Sequence, residues 1–527
     1  MNRVISRVSL INVHTWTRKC SGGYARFSSV VELKLPKLKT YENAVEDLNS
    51  LQSNLTTLEN IWKTRGRLNQ RSIPEMRNLC ERIGYKIEDF DQLNVIHITG
   101  TKGKGSTCAL SESILRNMHG GKDLKTGLFT SPHLIEVRER IRINGAPIDK
   151  ENFTRYFYEC WERLEATEDK ALEGQPSKPS YFRFLNLMAY HIFMQEQIDV
   201  AIMEVGVGGE YDSTNIIQKP IVCGISALGI DHQAVLGNTI EEIAWHKAGI
   251  IKSNVPVFTV PQPKEAMEVI KKRAAEKNAP LHVIPSHDTI QGLNEIDIGL
   301  AGDHQVSNSS LAISLCNTWN SMRVSNGNPG SIKPLSTVPE DFIPGLKDVK
   351  WPGRGQKLIT PGFTETEWYL DGAHTMESMK VCAKWFENTV TREERPVENI
   401  LLFNSANGRD GLAQIEMLSE IQKKVNFKYA VFCPNLTHSG VKPNADSRNI
   451  ILKVDHELST QRSLANTWTS LTKQEDQHHT NLFPDIENAV NWILSASNPT
   501  KQKRRVLVTG SLHLVGGVMT VLGAECT

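Results

Sequence analysis

A glycine-rich turn follows a short apolar segment in the first quarter of the chain. The run 94–107 carries three glycines, two lysines and a Ser-Thr pair, from Gly100 to Thr107. Glycines let several backbone N–H groups point at one anion, lysines add positive charge, and the helix expected from Ser106 to Met118 adds its dipole. The spacing is not that of a Walker motif, because Gly105 separates Lys104 from Ser106. The order of strand, loop and helix therefore predicts a phosphate-binding loop, with a plain glycine turn as the alternative.

A carboxylate lies inside an apolar run that should be buried. Glu204 ends the segment 200–204 and precedes the glycine-rich stretch 205–209. Burying an unpaired carboxylate is costly, and a magnesium ion beside phosphates would compensate its charge. The alternative is an ion pair with a neighbouring lysine or arginine. The pattern favours a magnesium ligand.

Two further polar positions have ordinary alternatives. Asp231 and His232 follow the apolar run 221–227, where His232 either binds a metal ion or satisfies a loop carbonyl. Lys247 falls on a predicted helix, where a lysine is usually a solvated charge. These residues alone do not decide between the two interpretations.

A basic loop follows the predicted strand 126–129. The segment 130–142 combines a histidine with three arginines. Guanidinium groups bind carboxylates well, so the loop is a candidate binding site for an acidic substrate. The alternative is a surface loop whose charges form salt bridges. The candidate contacts are Pro132, His133, Arg138, Arg140 and Arg142.

The second half of the chain offers a cation and a polar strand end. Arg354 lies in the segment 351–355, and Asp371 and His374 follow the predicted strand 367–370. An arginine at a hinge reaches a phosphate when the two sides close, which suits phosphoryl transfer. Arg354 is therefore a candidate phosphate clamp.

The elements that must position these residues alternate between strand and helix. Strand-like runs occur at 95–98, 126–129, 200–205, 221–227 and 256–260, and again at 367–370, 400–403, 429–432 and 506–509. Such alternation predicts an α/β fold with mostly parallel sheets covered by helices, and ligands then bind beyond the carboxyl ends of the strands. A helical pattern also spans Tyr41 to Gly84.

Composition shifts suggest domain boundaries. Residues 1–31 are basic, serine-rich and free of acids, which is typical of a mitochondrial transit peptide. Asn, Ser, Gly and Pro concentrate between 317 and 355, which predicts an interdomain connection. We therefore expect a larger domain at 41–345, which carries the phosphate-binding loop, and a smaller C-terminal α/β domain at 356–527.

Charge and cysteine content exclude several classes of protein. Sixty Lys and Arg balance 59 Asp and Glu, so no global field recruits nucleic acid or an anionic membrane surface. The nine cysteines lack metal-ligand spacing, which indicates reduced thiols. No apolar run reaches the roughly 18–20 residues of a membrane span. The chain is predicted to be a monomer.

Taken together, the motifs resemble the folylpolyglutamate synthase family of the Mur ligase superfamily. They occur in the family's order from about residue 41 to residue 517. The matching segments are 100–106, 130–134, 204–209, 228–232, 246–252, 302–305 with Asn308, 351–354 and 371–374. The resemblance implies a P-loop ATPase-like domain followed by a smaller Rossmann-like α/β domain.

The resemblance also implies an activity and its cofactors. It implies ATP- and Mg²⁺-dependent addition of L-glutamate to the terminal γ-carboxyl of a reduced folate, through an acyl phosphate, with release of ADP and phosphate. By the same resemblance, Ser131, Glu204 and His232 correspond to magnesium ligands. The nucleotide contacts correspond to Thr101, Lys102, Gly103, Lys104, Gly105, Ser106, Asn308, Arg354 and Asp371.

Three residues are candidate catalytic groups by this resemblance. Lys104 serves the phosphates, Lys247 aligns with a lysine that members carry as a carbamate, and His374 is placed at the glutamate or acyl-phosphate site. The loop 130–142 is the candidate for folate contacts. Thr375 departs from the Asn that many relatives have after this histidine.

Alternative activities stay open at this point. The block Pro179–Leu185 resembles eukaryotic members and lacks the acidic residue of bacterial relatives that also form dihydrofolate, which disfavours a dihydrofolate synthase or bifunctional enzyme. A ligase acting on a cell-wall precursor and a nucleotide-binding module without ligase chemistry are further alternatives. The leader predicts a protein of the mitochondrial matrix or inner-membrane surface, and a cytosolic form remains open.

Overall fold

The computed structural model describes most of the chain. The described residues are 13–20, 23–30, 38–52, 70–118, 124–284, 290–325, 335–391, 397–405, 410–440, 445–446, 457–472, 479–495 and 503–524. Near the N-terminus, β1 (Val13–Cys20) and β2 (Gly23–Val30) form an antiparallel pair. The transit-peptide assignment of residues 1–31 stays a prediction.

An eight-stranded, mostly parallel sheet organises the described residues between 38 and 351, which we call the first-sheet region. The strand order is β10-β9-β8-β3-β7-β4-β5-β6, and only β5 and β6 run antiparallel to their neighbours. Every residue of the central strands β3, β7 and β8 is buried, as expected for a sheet covered on both faces. The strands are β3 (Ile96–Thr99), β4 (Thr126–Phe129), β5 (Ile141–Ile143), β6 (Ala146–Pro147), β7 (Val200–Glu204), β8 (Val222–Ile225), β9 (Val257–Thr259) and β10 (Leu281–Val283).

Helices cover both faces of this sheet. One face packs against Leu110, Ile114 and Leu311, and the other face packs against Phe157, Phe184 and neighbouring aromatic residues. The helices of this region are Tyr41–Ser50, Ser72–Arg82, Lys104–Asn117, Lys150–Ala166, Tyr181–Gln195, Gln233–Leu236, Ile240–Lys247, Lys264–Glu276, His304–Val324 and Ile343–Asp348.

A six-stranded sheet organises the described residues from 352 to 524, which we call the second-sheet region; Gly353 and Gly355 belong to it because they hydrogen-bond to residues 371–372. Its order is β11-β12-β16-β13-β14-β15, with only β11 antiparallel. The strands are β11 (Gln356–Ile359), β12 (Thr366–Leu370), β13 (Glu398–Phe403), β14 (Phe427–Phe432), β15 (Thr480–Leu482) and β16 (Arg504–Thr509). The helices are Met376–Val390, Gly411–Glu420, Gln422–Val425, Ser459–Thr472, Ile486–Ser495 and Leu512–Val521.

The predicted α/β class and all nine predicted strands are confirmed, with ends shifted by at most a few residues. The helical pattern from Tyr41 to Gly84 corresponds to two helices, and residues 53–69 lie outside the described residues. The predicted connection starts too early, because the helix His304–Val324 continues through 317–324. Buried Trp319 holds this end to the sheet by donating to the Asn94 carbonyl at 2.8 Å. None of the described helices has the length and apolar character needed to cross a membrane.

The two regions contact each other through the basic loop. Leu134 leaves the first-sheet region and packs in the apolar core beside Trp368, Leu514 and Val515. A β-carbon on Gly516 would lie 2.1 Å from the Leu134 carbonyl oxygen, which is a backbone atom and cannot rotate away. Glycine at 516 is therefore required by this close approach.

Gly516→Ala should destabilise the protein by about 1–3 kcal/mol, because the added methyl forces the two regions apart. Gly517→Ala is the matched control, since its β-carbon would meet the movable end of Ile486 in the same region. Urea unfolding of both variants measures the difference. Equal stability of the two would contradict the proposed close approach.

A buried carboxylate near the start of β12 predicts acid sensitivity. Burial raises the pKa of Glu367, but hydrogen bonds from Lys357, Lys503 and Tyr369 outweigh this and lower it from 4.5 to about 2. A depressed folded-state pKa stabilises the protein above pH 4.5, and this contribution fades as pH falls toward 2. Glu367→Gln should lower stability at pH 7 and flatten its decline below pH 4.5. Urea midpoints at pH 7, 5 and 3.5 test this; an unchanged slope would refute it.

Candidate active site

A cavity of about 500 Å³ lies between the two regions, at the carboxyl ends of β3, β4 and β7. The first-sheet region contributes the glycine-rich loop, the basic loop and Glu204, and the second-sheet region contributes its strand end after β12. Most of the predicted site residues line this cavity: Thr101, Lys102, Gly103, Lys104, Gly105, Ser106, Ser131, Pro132, His133, Arg142, Glu204, His232, Arg354, Asp371 and His374.

The glycine-rich loop is tied to the neighbouring strand end. The backbone N–H groups of Thr101 and Lys102 donate to the Ala227 carbonyl at 2.9 and 3.0 Å. Gly103 has a φ of 83°, and a β-carbon there would lie 2.2 Å from Asn308 Oδ1. The helix begins at Lys104, two residues before the predicted start. Gly103 thus permits both the left-handed turn and the close approach of Asn308, which lies beside the loop without lining the cavity.

The lysines of the loop face different carboxylates. Lys102 Nζ lies 3.5 Å from Asp231 Oδ2. Lys104 is close enough to Glu204 to oppose the rise that burial causes in the pKa of that carboxyl. The loop therefore places two cations at the N-terminus of the helix that begins at Lys104, where a polyphosphate can bind.

Glu204 is a buried carboxylate, with 3% of its surface exposed. It accepts a hydrogen bond from the Ser131 backbone N–H at 2.9 Å. Burial raises the pKa of Glu204, while Lys104, the Ser131 amide and Arg354 oppose the rise. Positive groups on both sides of the cavity thus offset part of the cost of burying a negative charge at this position.

The donor set fits a magnesium ion that shares its ligands with phosphate. Glu204 and the Ser131 hydroxyl supply oxygen, which Mg²⁺ prefers, and Mg²⁺ commonly binds few protein ligands beside phosphate. His232 is exposed, in a left-handed conformation with φ 53°. Among the described residues there is no cluster of three His, Cys, Asp or Glu side chains that could hold a metal.

Lys247 is not the solvated helix charge that its sequence context suggests. It is 3% exposed, and its Nζ donates to the Gly100 carbonyl at 2.6 Å. Burial and then the charge of Lys104 lower the pKa of Lys247 well below its usual range. The residue supports the start of the glycine-rich loop from behind and does not line the cavity.

The basic loop divides its cations. His133 and Arg142 line the cavity, and the Arg142 guanidinium lies 5.3 Å from the ring centroid of Trp351. Arg138 turns away to Glu136 and the Ile148 carbonyl. Arg140 donates to His133 Nδ1 at 2.9 Å, so it positions a lining residue without lining the cavity itself.

The second-sheet region presents a cation beside a buried carboxylate. Asp371 accepts hydrogen bonds from the backbone N–H groups of Gly355 and Ala373, at 2.8 and 2.9 Å. Burial raises the pKa of Asp371, and the charge of Arg354 opposes this. His374 Nδ1 bonds the Gly372 carbonyl at 2.9 Å, which orients the ring.

Sequence reasoning missed several contributors. Glu377 and Ser378 line the cavity from the first turn of Met376–Val390. The sequence could have indicated this helix start, because Thr375 and Ser378 have the spacing of a capping box, which the structure forms. In the sequence, Glu139 is one charge of a basic loop, yet its carboxylate accepts the backbone N–H groups of 134–136.

No protein-family model matches the chain, but individual proteins do. It is 41% identical over 556 residues to the mitochondrial folylpolyglutamate synthase of Bos taurus and 40% identical over 553 residues to that of Homo sapiens, covering 92% of this chain and of each relative. It is 44% identical over 493 residues to folylpolyglutamate synthase of Saccharomyces cerevisiae strain FostersO, covering 92% of this chain and 87% of the relative.

Solved structures match the fold. Mycobacterium tuberculosis folylpolyglutamate synthase complexed with ADP and AMPPCP aligns with a TM-score of 0.64 at 22% identity, over 91% of this chain and 100% of that one. The apo form of the L. casei enzyme aligns with a TM-score of 0.65 at 22% identity, over 92% and 100%. From the sequence relatives, the chain belongs to the folylpolyglutamate synthase family.

Proposed function

We propose that this protein adds L-glutamate to the terminal γ-carboxyl of a reduced folate, using ATP and releasing ADP and phosphate. One observation carries the proposal: the glycine-rich loop, buried Glu204 and Arg354 face one cavity between the two regions. This arrangement brings a phosphate cradle, a carboxylate for a metal ion and an arginine together. Family membership supplies the substrates.

The reaction divides into two balanced steps. A folate carboxylate oxygen attacks the γ-phosphorus of ATP, and the bond to the ADP oxygen breaks. The glutamate amine then attacks the acyl carbon, phosphate leaves, and the amine loses its proton. Because a free carboxylate is a poor acyl donor, the first step makes the second possible.

The chain's own groups position the nucleotide. Backbone N–H groups at the start of the helix that begins at Lys104 bind the phosphates, and the side chains of Lys102 and Lys104 offset their charge. Arg354 approaches from the opposite wall, so the second-sheet region contributes to the same phosphates. Glu204 and Ser131 would hold Mg²⁺ with His232 nearby, and the ion would supply further charge neutralisation.

The remaining groups suit the acid and the amine. Arg142 supplies positive charge for the folate carboxylates and His133 lines the same wall as a neutral hydrogen-bonding group, whereas His374 lies on the wall beyond β12 for glutamate or the acyl phosphate. Enclosure between two regions protects an acyl phosphate from water. We assign the catalytic roles to Lys104 and His374, and a supporting role to Lys247.

Domain boundaries and location form part of this proposal. The ATP-binding domain spans 41–345 and the smaller domain spans 356–527. The basic leader supports a mitochondrial protein, as do the mammalian relatives whose names include that compartment.

The decisive assay supplies the full chain with ATP, Mg²⁺ and labelled glutamate, and offers tetrahydrofolate or dihydropteroate in separate reactions. Label in tetrahydrofolate alone, matched by ADP release, supports the proposal. Label in dihydropteroate would indicate a dihydrofolate synthase or a bifunctional enzyme. ATP binding without incorporation of labelled glutamate in either reaction would indicate a nucleotide-binding module without ligase activity.

A further inference from the structure

Two residues of the second-sheet region contact a helix of the first-sheet region. Ala445 and Asp446 follow β14 in the sequence, yet both contact the helix Tyr41–Ser50. Asn49 Nδ2 donates to the Ala445 carbonyl at 2.6 Å, and the Tyr41 hydroxyl donates to Asp446 Oδ1 at 3.0 Å. Asp446 is 7% exposed, so this contact is a buried one.

Asp446 also binds the basic loop. Its Oδ1 accepts the backbone N–H of Val137 at 2.7 Å. Val137 is the first residue of the 3-10 turn Val137–Arg140, and that turn carries Arg138 and Arg140. Arg140 of this turn donates to Nδ1 of the cavity-lining His133 at 2.9 Å. The two-residue segment therefore contacts the backbone of the turn that positions His133.

The loop behaves as one unit because its internal bonds are dense. The Glu139 carboxylate accepts hydrogen bonds from three successive backbone N–H groups at 2.6–2.9 Å, and Arg140 donates a hydrogen bond to His133. Two external contacts then fix the unit against the second-sheet region: Leu134 in its apolar core, and Val137 on Asp446. Moving the second-sheet region would thus move the whole loop.

We propose that Ala445–Asp446 is an interdomain latch that sets the position of the basic loop, with Asp446 as a positioning residue for the acidic substrate. The claim about substrate rests on the proposed function. Among the described residues, the latch hydrogen-bonds to Tyr41, Asn49 and Val137 and to none of residues 101–106, so its effect falls on the folate and not on ATP.

The donors to Asp446 are a hydroxyl and a backbone N–H, which are both neutral. The position therefore requires an acceptor oxygen and not a negative charge. Asp446→Asn keeps that oxygen and should rescue the function, whereas Asp446→Ala removes it and leaves the Val137 N–H without its partner. This difference separates positioning from electrostatics.

The kinetic experiment measures the KM for tetrahydrofolate, the KM for ATP and kcat in Asp446→Ala, Asp446→Asn and Tyr41→Phe. Asp446→Ala should raise the folate KM about tenfold, equivalent to about 1.4 kcal/mol, with the ATP KM within about twofold of wild type. Asp446→Asn should stay near wild type and Tyr41→Phe should be intermediate. Adding Tyr41→Phe to Asp446→Ala should have little further effect.

Asp485→Ala is the matched control. Asp485 is also a buried aspartate of the second-sheet region, and it accepts backbone N–H groups of Ser439 and Asn488 at 3.0 and 2.7 Å. It should lose thermal stability without a selective rise in the folate KM. The latch would be refuted if Asp446→Ala lowered kcat and stability but left the folate KM unchanged. It would also be refuted if the KM values for folate and ATP rose equally.

A second measurement needs no activity. Hydrogen exchange of the peptide containing Val137 should accelerate in Asp446→Ala, remain slow in Asp446→Asn, and stay slow in Asp485→Ala. Unchanged exchange in Asp446→Ala would overturn the latch. Absence of glutamate incorporation by the wild-type protein would instead overturn the proposed function, so the two failures are distinguishable.

Discussion

Glu204→Gln should reduce the rate of glutamate addition by at least ~10²-fold, because a preorganised charge in a water-poor site makes a large contribution to catalysis. Glutamine keeps the shape of the side chain and an oxygen for the Ser131 N–H, but it removes the negative charge that faces Lys104 and Arg354. The fold should persist, since burying a neutral amide costs less than burying a carboxylate. Steady-state rates at saturating magnesium and urea unfolding measure the two effects.

Glu112→Gln provides the control for a buried glutamate of the first-sheet region. Glu112 is 4% exposed and pairs with Arg116 and Thr126, away from the cavity-lining residues. It should change stability while leaving kcat within a few-fold of wild type. If the two variants lost activity equally, or if Glu204→Gln retained full turnover, the assignment of Glu204 to the metal and phosphate site would be wrong.

Arg354→Ala should weaken ATP use by about 10²-fold in kcat/KM, which corresponds to about 2.7 kcal/mol of transition-state stabilisation. Arg354 is the cation that the second-sheet region brings to the cavity, beside buried Asp371. Removing it takes away the positive charge that most opposes the rise in the pKa of Asp371, and it removes a phosphate contact that forms when the regions approach. ATP titrations and initial rates measure the loss.

Lys357→Ala is the matched control on the following strand. Lys357 is 45% exposed and pairs with Glu367, away from the cavity. It should leave the ATP KM unchanged and alter mainly stability. Wild-type ATP kinetics in Arg354→Ala would show that the second-sheet region does not contribute this cation to the nucleotide.

Small-angle scattering offers an independent check on closure. ATP plus folate should reduce the radius of gyration of the wild-type protein, and Arg354→Ala should respond less. An unchanged scattering profile in the wild type would contradict closure during turnover.

The fold class and the chemistry of the phosphate loop were predictable from local patterns. Short apolar runs bounded by glycines and polar residues, separated by helical spacing, predict parallel strands before any contact is known. Because parallel strands share one carboxyl edge, Gly100, Glu204 and Asp371 were expected at ligand-binding positions. The structure confirms the strands on which that expectation depends.

Other features depend on which distant segments meet. Lys247 looks like a solvated helix charge in sequence, and only packing behind the glycine-rich loop makes it a buried donor to Gly100, 147 residues away. The assignment of residues 317–324 to a connection is wrong, because these residues belong to the helix His304–Val324, in which buried Trp319 donates to the distant Asn94 carbonyl.

The basic loop shows most clearly which features local sequence determines and which depend on contacts between distant segments. Its composition by itself determined a positive segment after a strand, which favours an acidic ligand. Only the tertiary structure decided that Arg138 turns away, that Leu134 enters the core of the other region and that Asp446 binds Val137 across 309 residues. Local propensities act over a few residues, whereas burial and pairing between distant segments are set by the path of the whole chain.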